Sequence, residues 1–373
     1  MNLNFAFSEE QEELRKSIKR FLDDKSPISE VRRLMETSDG YEKSVWEQMG
    51  SQLGLQGLAI PEEFGGSGFS YVELLVVFEE LGRSLACVPY FSTIALAANA
   101  LLTTNDDAAK KEYLPKIASG ESIATLALSE DSGRFDEESI TLRGKNNGSG
   151  YTLNGSKCFV IDGHIADLIL VAGRTDKGVT LFAVEKGATG LETIQLSTMD
   201  QTRKQARLTF SDTPARLIGD EGAAWPGLSK TLDLAAVALS AEQVGGAQVC
   251  LDTSVEYAKN RIQFGRPIGS FQAIKHKCAD MLLQVESARS ASYYGSWIAA
   301  EDSDELPVVA CLAKAYCSEA FFHCAAENIQ IHGGIGFTWE HDAHLYFKRA
   351  KSSEVMLGDP SYHRELLAQR LGI

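Results

Sequence analysis

The residues of this chain best placed for chemistry lie between Tyr257 and Gln272, in the run YAKNRIQFGRPIGSFQ. Tyr257 and Arg261 are four apart and so share a face of any helix that carries them. Gly265 and Pro267 then end that helix, because proline has no amide hydrogen to continue it and restricts the residue before it. Ser270 is placed to cap the next helix, with Gln272 in its first turn. A cation, a corner and an amide donor thereby come within reach of one point. That set suits a pyrophosphate: arginine offers a planar fork of donors, and a fresh helix start offers free amides at the positive end of a dipole. The same pattern also describes a plain helix hairpin with a surface arginine, so a second stretch has to decide.

That stretch is Asn328-Ile329-Gln330-Ile331-His332-Gly333-Gly334-Ile335-Gly336-Phe337, where three glycines in four residues close an apolar helix. Such glycines allow positive φ and close approach of a ligand to the backbone. Arg261-x-x-Phe264-Gly265 with Gln272, followed by Gln330-x-x-Gly333-Gly334-x-Gly336, resembles the acyl-CoA dehydrogenase family, and the likeness runs from the first helix to the last. The resemblance implies FAD as cofactor. It also implies that these motifs reach across a subunit interface to the ADP half of a neighbour's FAD, with Arg261, Phe264, Gln272, Gln330, Gly333 and Gly334 as contacts.

Dehydrogenating an acyl-CoA requires a carboxylate for the α proton on one face of the acyl chain and a hydride acceptor for the β carbon on the other. The resemblance puts the carboxylate at one of two positions, which here are Leu357, before Gly358, and Ala235, in the pair Ala235-Ala236. Leucine and alanine cannot accept a proton. On the flavin side the resemblance implies contacts from Leu128 and Ser129 in the loop 126–136, and from Phe159 and Ile161 in the run Cys158-Phe159-Val160-Ile161. Arg134-Phe135 replaces the family's glycine-serine pair, and Ile161 has no hydroxyl to offer flavin N5.

This pattern of losses resembles one member of the paired bacterial acyl-CoA dehydrogenases, in which two unlike chains form a heterotetramer, in several cases acting on steroid side-chain CoA thioesters. The expectation is a subunit without its own catalytic glutamate that completes the FAD site of a homologous partner chain. The resemblance further implies an acyl-CoA substrate and an acceptor such as an electron-transfer flavoprotein. Two alternatives stay open. One is a self-sufficient homodimer or homotetramer with a displaced base. Glu242 lies seven residues beyond Ala235, about 10 Å along the helix, and Glu354 lies one turn before Leu357. The other is a non-enzymatic binder of acyl-CoA or flavin.

Composition narrows the classes. With 373 residues, 44% hydrophobic and 23% charged, the chain reads as globular with two or three sub-domains. A net charge of −15 argues against nucleic acid or an anionic membrane as partner. No run of uninterrupted apolar residues is long enough for a membrane span, and the start MNLNFAFSEEQEELRK lacks the basic and apolar regions of a signal peptide. The seven cysteines have no paired spacing, which fits reduced thiols in a cytoplasmic protein. His341-x-x-His344, and His323 beside Cys324, lack zinc spacing and are expected to be structural, with no metal. His332 is expected to pack or hydrogen-bond near the adenine.

The elements that must position these residues follow from periodicity. Ser8-Glu9-Glu10-Gln11 is a capping box, and Leu14, Ile18, Phe21 and Leu22 keep helical spacing. Helices are predicted over 46–53, 71–85, 91–102 and 106–118, with the loop PEEFGG between the first two. β-type runs follow at 123–128, 139–143, 151–161, 168–173, 180–184, 191–196 and 205–210, separated by turn signals such as Asn146-Asn147-Gly148. They suggest a small antiparallel barrel or sandwich. Helices resume over 225–261, 270–300, 306–331 and 343–356. The fold class is therefore α+β: an N-terminal helical domain (1–121), a middle β domain (122–217) and a C-terminal four-helix-bundle domain (218–373), which is the acyl-CoA dehydrogenase order.

Overall fold

The computed structural model describes residues 7–148 and 150–373. The first six residues of the run read for a targeting segment lie outside that range. The chain runs through helices α1 (Glu9–Lys25), α2 (Ile28–Met35), α3 (Lys43–Ser51) and α4 (Tyr71–Ser84). A π-helical stretch (Phe91–Ala98) then continues as α5 (Asn99–Leu102) and is followed by α6 (Asp107–Ala118). The strands are β1 (Ala124–Ala127), β2 (Arg143–Asn146), β3 (Tyr151–Ile161), β4 (Leu168–Thr175), β5 (Gly178–Glu185), β6 (Leu191–Gln195) and β7 (Gln205–Ile218). After α7 (Trp225–Asn260) come the two-residue strands β8 (Ile262–Gln263) and β9 (Arg266–Pro267), then α8 (Gln272–Ala300), α9 (Leu306–His332), α10 (Ala343–Val355) and α11 (Pro360–Leu371). Helices α2 and α11 were not anticipated from periodicity.

The chain divides into two compact units. One comprises the described residues of Met1–Arg32 with Tyr71–Ala86 and Ala236–Ile373; the other comprises Arg33–Ser70 and Cys87–Ala235.

The first unit is helical. Ser8 and Gln11 form the capping box that starts α1. Arg15 of α1 binds Glu79 (2.9 Å) and Glu80 (3.3 Å) of α4, and Arg289 of α8 reaches the same Glu79. Helix α4 crosses α7 at two glycines: a Cβ at Gly245 would lie 1.9 Å from the Glu79 carbonyl oxygen, and one at Gly82 would lie 2.0 Å from that of Glu242. Val244 of α7, Ala288 of α8, and Cys317 and Ala320 of α9 form a core of small side chains. Gln243 Nε2 of α7 donates to Ser318 Oγ of α9 (3.0 Å), and Arg349 of α10 reaches Glu242 of α7 (3.0 Å). The bundle α7–α10 is thus joined by buried polar contacts as well as by apolar packing.

The second unit is built on a seven-stranded sheet. The order β4-β2-β3-β7-β5 returns to β4, which closes a barrel, while β1 and β6 are added on β4 and β7. The purely antiparallel expectation needs correcting, because β1 and β2 both pair with β4 in parallel. The strand predicted over 139–143 is also corrected. Glu137–Ser139 is a 3₁₀ turn capped by Asp136, and the Thr141 and Leu142 amides donate to Glu130 Oε1 (2.8 and 2.9 Å) rather than to a neighbouring strand. Helix 91–102 exists, but its first eight residues, all buried, wind as a π-helix, a rare form that often marks a functional site. Thr93 Oγ1 within it accepts the Ala124 amide at the start of β1 (3.2 Å).

Trp225–Asn260 and Leu306–Phe337 are long and apolar enough to cross a membrane by length and composition. However, 89% and 67% of their apolar windows are buried inside the fold, so these are core helices. None of the seven cysteines is in a disulfide, and six are buried.

Candidate functional site

The site begins where α7 ends. The Arg261 amide donates to the Tyr257 carbonyl (2.8 Å), which extends the helical path one residue past Asn260, and the Ile268 amide then returns to the Arg261 carbonyl (2.8 Å). Between them β8 and β9 form a minimal hairpin, with Gln263 opposite Arg266. Its two central residues, Phe264 and Gly265, have φ of 53° and 78°. Positive φ at both central positions is the type I′ arrangement that suits strand twist, and it is strained for a bulky side chain such as phenylalanine. Phe264 is 92% exposed. Within the chain its ring meets Phe271 edge-on, with centroids 6.0 Å apart; backbone strain of this kind clusters at functional sites.

Ser270 does not cap α8 as the sequence suggested. Its hydroxyl donates back to the Pro267 carbonyl (2.7 Å), which closes the 3₁₀ turn Ile268–Ser270, and the N-cap is Phe271 without a side-chain bond. The first helical bonds of α8 come from the Ile274 and Lys275 amides to the Phe271 carbonyl, so Gln272 and Ala273 sit at the open end of the helix dipole. Gln272 is exposed there.

The second motif is tied to the first. Ser254 and Thr253 hydroxyls of α7 donate to Asn328 Oδ1 of α9 (2.9 and 3.3 Å). The Tyr257 and His332 rings pack with centroids 4.2 Å apart, and His341 adds a third ring 4.5 Å from His332. His332 is buried, and its Nδ1 donates to the Asn328 carbonyl (2.8 Å); burial lowers its pKa. These contacts bring the Arg261 hairpin and the exposed Gln330 to one end of the bundle. Gly333 ends α9 with φ of 65°, as glycine allows, and a Cβ at Gly333 or Gly334 would meet nothing within 4 Å. Gly336 differs: a Cβ there would press against His332, so packing alone explains it. Guanidinium, carboxamides, open helix amides and uncovered glycine backbone are the donor set of a diphosphate site, so these residues fit the ADP half of FAD.

The two positions to which the resemblance assigned a base are buried hydrocarbon, Ala235 in the second unit and Leu357 in the first. Glu242 is no free carboxylate. It is ion-paired to Arg349 at 3.0 Å, with the side chains 5% and 2% exposed. Glu354 pairs through Oε1 with Lys351 (3.1 Å), while its Oε2 is buried without a hydrogen-bond partner. The turn carrying Leu357 is held by basic groups that sequence reasoning missed. Lys314 Nζ, fully buried, donates to the Glu354 carbonyl (3.0 Å), the Gly358 carbonyl (3.1 Å) and Ser318 Oγ (2.9 Å). His363 Nε2 binds the Leu357 carbonyl (3.0 Å). Burial pulls Lys314 down to about 7 against Cys317, Glu354 and Asp359; burial, then Lys314, push His363 down to about 4.

In the second unit, Leu128 and Ser129 are buried at the start of their loop. The Cys158 amide of β3 donates to the Ser129 carbonyl (2.9 Å). Lys157, also 0% exposed, donates to the Leu128 carbonyl (2.8 Å) and to Glu130 Oε1 (2.9 Å). Burial lowers Lys157 to about 8 against the pull of Glu130. Burial works to raise Glu130, yet Lys157 and the bonds from Thr141 and Leu142 hold it below its ordinary value. A bulge in β3 turns Phe159 outward with φ of 59°. Ile161 is buried, its carbonyl accepts from Thr125 Oγ1 (2.6 Å), and its hydrocarbon side chain has no polar group to offer a ring. Arg134 is paired with Asp136 (2.7 Å) in the loop where the resemblance had glycine-serine. The Lys157–Glu130 pair was missed because a lysine within a strand ordinarily reads as facing water.

His344 stacks on Trp339 and binds its carbonyl (3.1 Å), and His341 Nδ1 accepts the Ala343 amide (3.1 Å). Among the described residues no group of three His, Cys, Asp or Glu could hold a metal ion.

This chain belongs to the acyl-CoA dehydrogenase family. Its N-terminal, middle and C-terminal domains match over residues 8–121, 125–213 and 223–372. The family is FAD-dependent and oxidises CH–CH donors. Among individual proteins, the chain is 36% identical over 359 residues to acyl-CoA dehydrogenase IpdE2 of Mycobacterium tuberculosis, covering 96% of this chain and 95% of that one. It is similar to a chain of the ChsE4-ChsE5 complex from Mycobacterium tuberculosis (TM-score 0.91, 28% identity, 99% of each chain). It is likewise similar to a chain of the Tcur3481-Tcur3483 steroid acyl-CoA dehydrogenase (TM-score 0.88, 29% identity, 98% of each chain).

Proposed function

We propose that this chain is the base-less member of a two-chain acyl-CoA dehydrogenase and completes the FAD site of a homologous partner. The observation that carries the reading is a contrast within the first unit. The diphosphate-binding hairpin is formed and uncovered, with Phe264 at 92% exposure, while Leu357 fills the position of a base and the buried Glu242 is neutralised by Arg349. When bound, FAD supplies the hydride acceptor. This chain's part is to hold the ADP half through Arg261, Phe264, Gln272, Gln330 and the backbone at Gly333 and Gly334; the partner supplies the carboxylate. Likeness to chains from two named pairs supports the heteromer, and likeness to a steroid acyl-CoA dehydrogenase supports a steroid-derived CoA thioester as substrate. An electron-transfer flavoprotein is the acceptor we assign.

The test is expression of this chain alone and together with a homologous acyl-CoA dehydrogenase chain, measuring bound flavin and acyl-CoA-dependent dye reduction. Activity is expected only from the pair. A lone chain that is FAD-replete and active overturns the reading. The second reading, a displaced base, draws on the unpartnered Glu354 Oε2. A collapse in turnover of the isolated chain on Glu354→Gln or Glu242→Ala would favour it.

A further inference from the structure

The charge of this chain is segregated. Between Tyr257 and Ala279 there is no Asp or Glu, yet Lys259, Arg261, Arg266, Lys275 and Lys277 fall there, in a protein of net charge −15. Lys277 is ion-paired to Glu327, whereas Arg261 and Arg266 are exposed and meet no carboxylate among the described residues. Arg266 is also held in place: its guanidinium lies 4.2 Å from the centroid of the Phe271 ring, and Phe271 packs edge-on to Phe264 at 6.0 Å. The stack Arg266, Phe271, Phe264 runs from β9 through the residue before α8 to the hairpin turn. It borders the open amides of Gln272 and Ala273.

We propose that Arg266 is a second cation for the diphosphate of the dinucleotide, fixed on Phe271 so that it and Arg261 approach the ligand from opposite sides of the hairpin turn. A diphosphate carries two negative charges in a compact space, and a single guanidinium neutralises one of them. Stacking on the ring restricts the Arg266 side chain before the ligand arrives, so less rotamer freedom is lost on binding. The hairpin therefore reads as a two-armed clamp. An acidic protein surface is the other ligand such a patch attracts; the open helix amides and the uncovered glycines favour the diphosphate.

The inference rests on the FAD reading, and the experiment separates the two. The assembled protein, in whatever subunit composition it purifies, is stripped of flavin and retitrated with FAD, following flavin fluorescence, for wild type, Arg266→Ala, Arg266→Lys and Arg261→Ala. Thermal unfolding and sedimentation check fold and assembly. Loss of one charge-assisted phosphate contact is expected to weaken FAD about tenfold in Arg266→Ala, with Arg266→Lys in between. The deficit should shrink as salt rises from about 0.05 to about 0.5 M, because screening acts on the lost charge. Unchanged FAD affinity in Arg266→Ala beside a weakened Arg261→Ala overturns the inference and leaves the FAD reading standing. Unchanged affinity in both overturns the FAD reading itself. Impaired assembly with normal FAD affinity assigns the patch to protein contact and also overturns the inference.

Discussion

At the scale of single residues, two lysines with no surface exposure set measurable quantities. Lys314 has a pKa of about 7 in the folded protein and about 10.4 once unfolded. The unfolded chain therefore binds the extra proton between those values, and stability is lost as pH falls through that window and levels off below 7. The wild type is expected to gain on the order of a few kcal/mol more than Lys314→Met between pH 7 and about 10, as measured by urea unfolding at each pH. His363, at about 4, works in the same sense lower down: stability is lost as pH falls from about 6.5 to 4. Lys157→Met removes the donor to Glu130 and the Leu128 carbonyl and is expected to cost about 3–5 kcal/mol, read by denaturant midpoint, with the loop 128–136 opening to proteolysis. None of these lysines announces itself in the sequence. A buried lysine is recognised by its acceptors, and two of the three acceptors of Lys314 are backbone carbonyls some forty residues away, which carry no side-chain signature.

At the scale of elements, the helices were legible because their apolar faces repeat at helical spacing, and the glycine pair at the α4–α7 crossing shows how tightly they meet. Gly245→Ala would place a methyl group against the Glu79 carbonyl. The helices would have to part, and a loss of about 2–3 kcal/mol is expected, seen as a lower Tm. The errors came where a side chain had two uses. Ser270 has the right type and place for a cap, yet its hydroxyl serves the preceding turn. Ile140-Thr141-Leu142 has strand composition, yet Glu130 takes the two amides that a neighbouring strand would need. The parallel pairing of β1 with β4 joins strands more than forty residues apart and leaves no local trace. The motifs proposed to grip the ADP half were legible as motifs because they are short spacings: an arginine, a hairpin turn and a glycine run. The stacking of Arg266 was not, since it depends on a ring five residues ahead that the turn folds beneath it.

At the scale of the whole molecule, the chain carries the family's three domains, and among the described residues the hairpin we propose as the cofactor contact is exposed. For the purified pair, one FAD per two unlike chains is expected from absorbance against quantitative amino-acid analysis; two per pair would mean that both chains hold a working flavin. The uncovered Phe264 has a consequence for how such a protein is made. A phenylalanine left exposed on a strained turn is an adhesive surface while it stays uncovered. Under the two-chain reading proposed above, surplus copies cling to the wrong neighbours, so the cell is expected to translate the two products in matched amounts, from messages close enough for the chains to meet as they emerge.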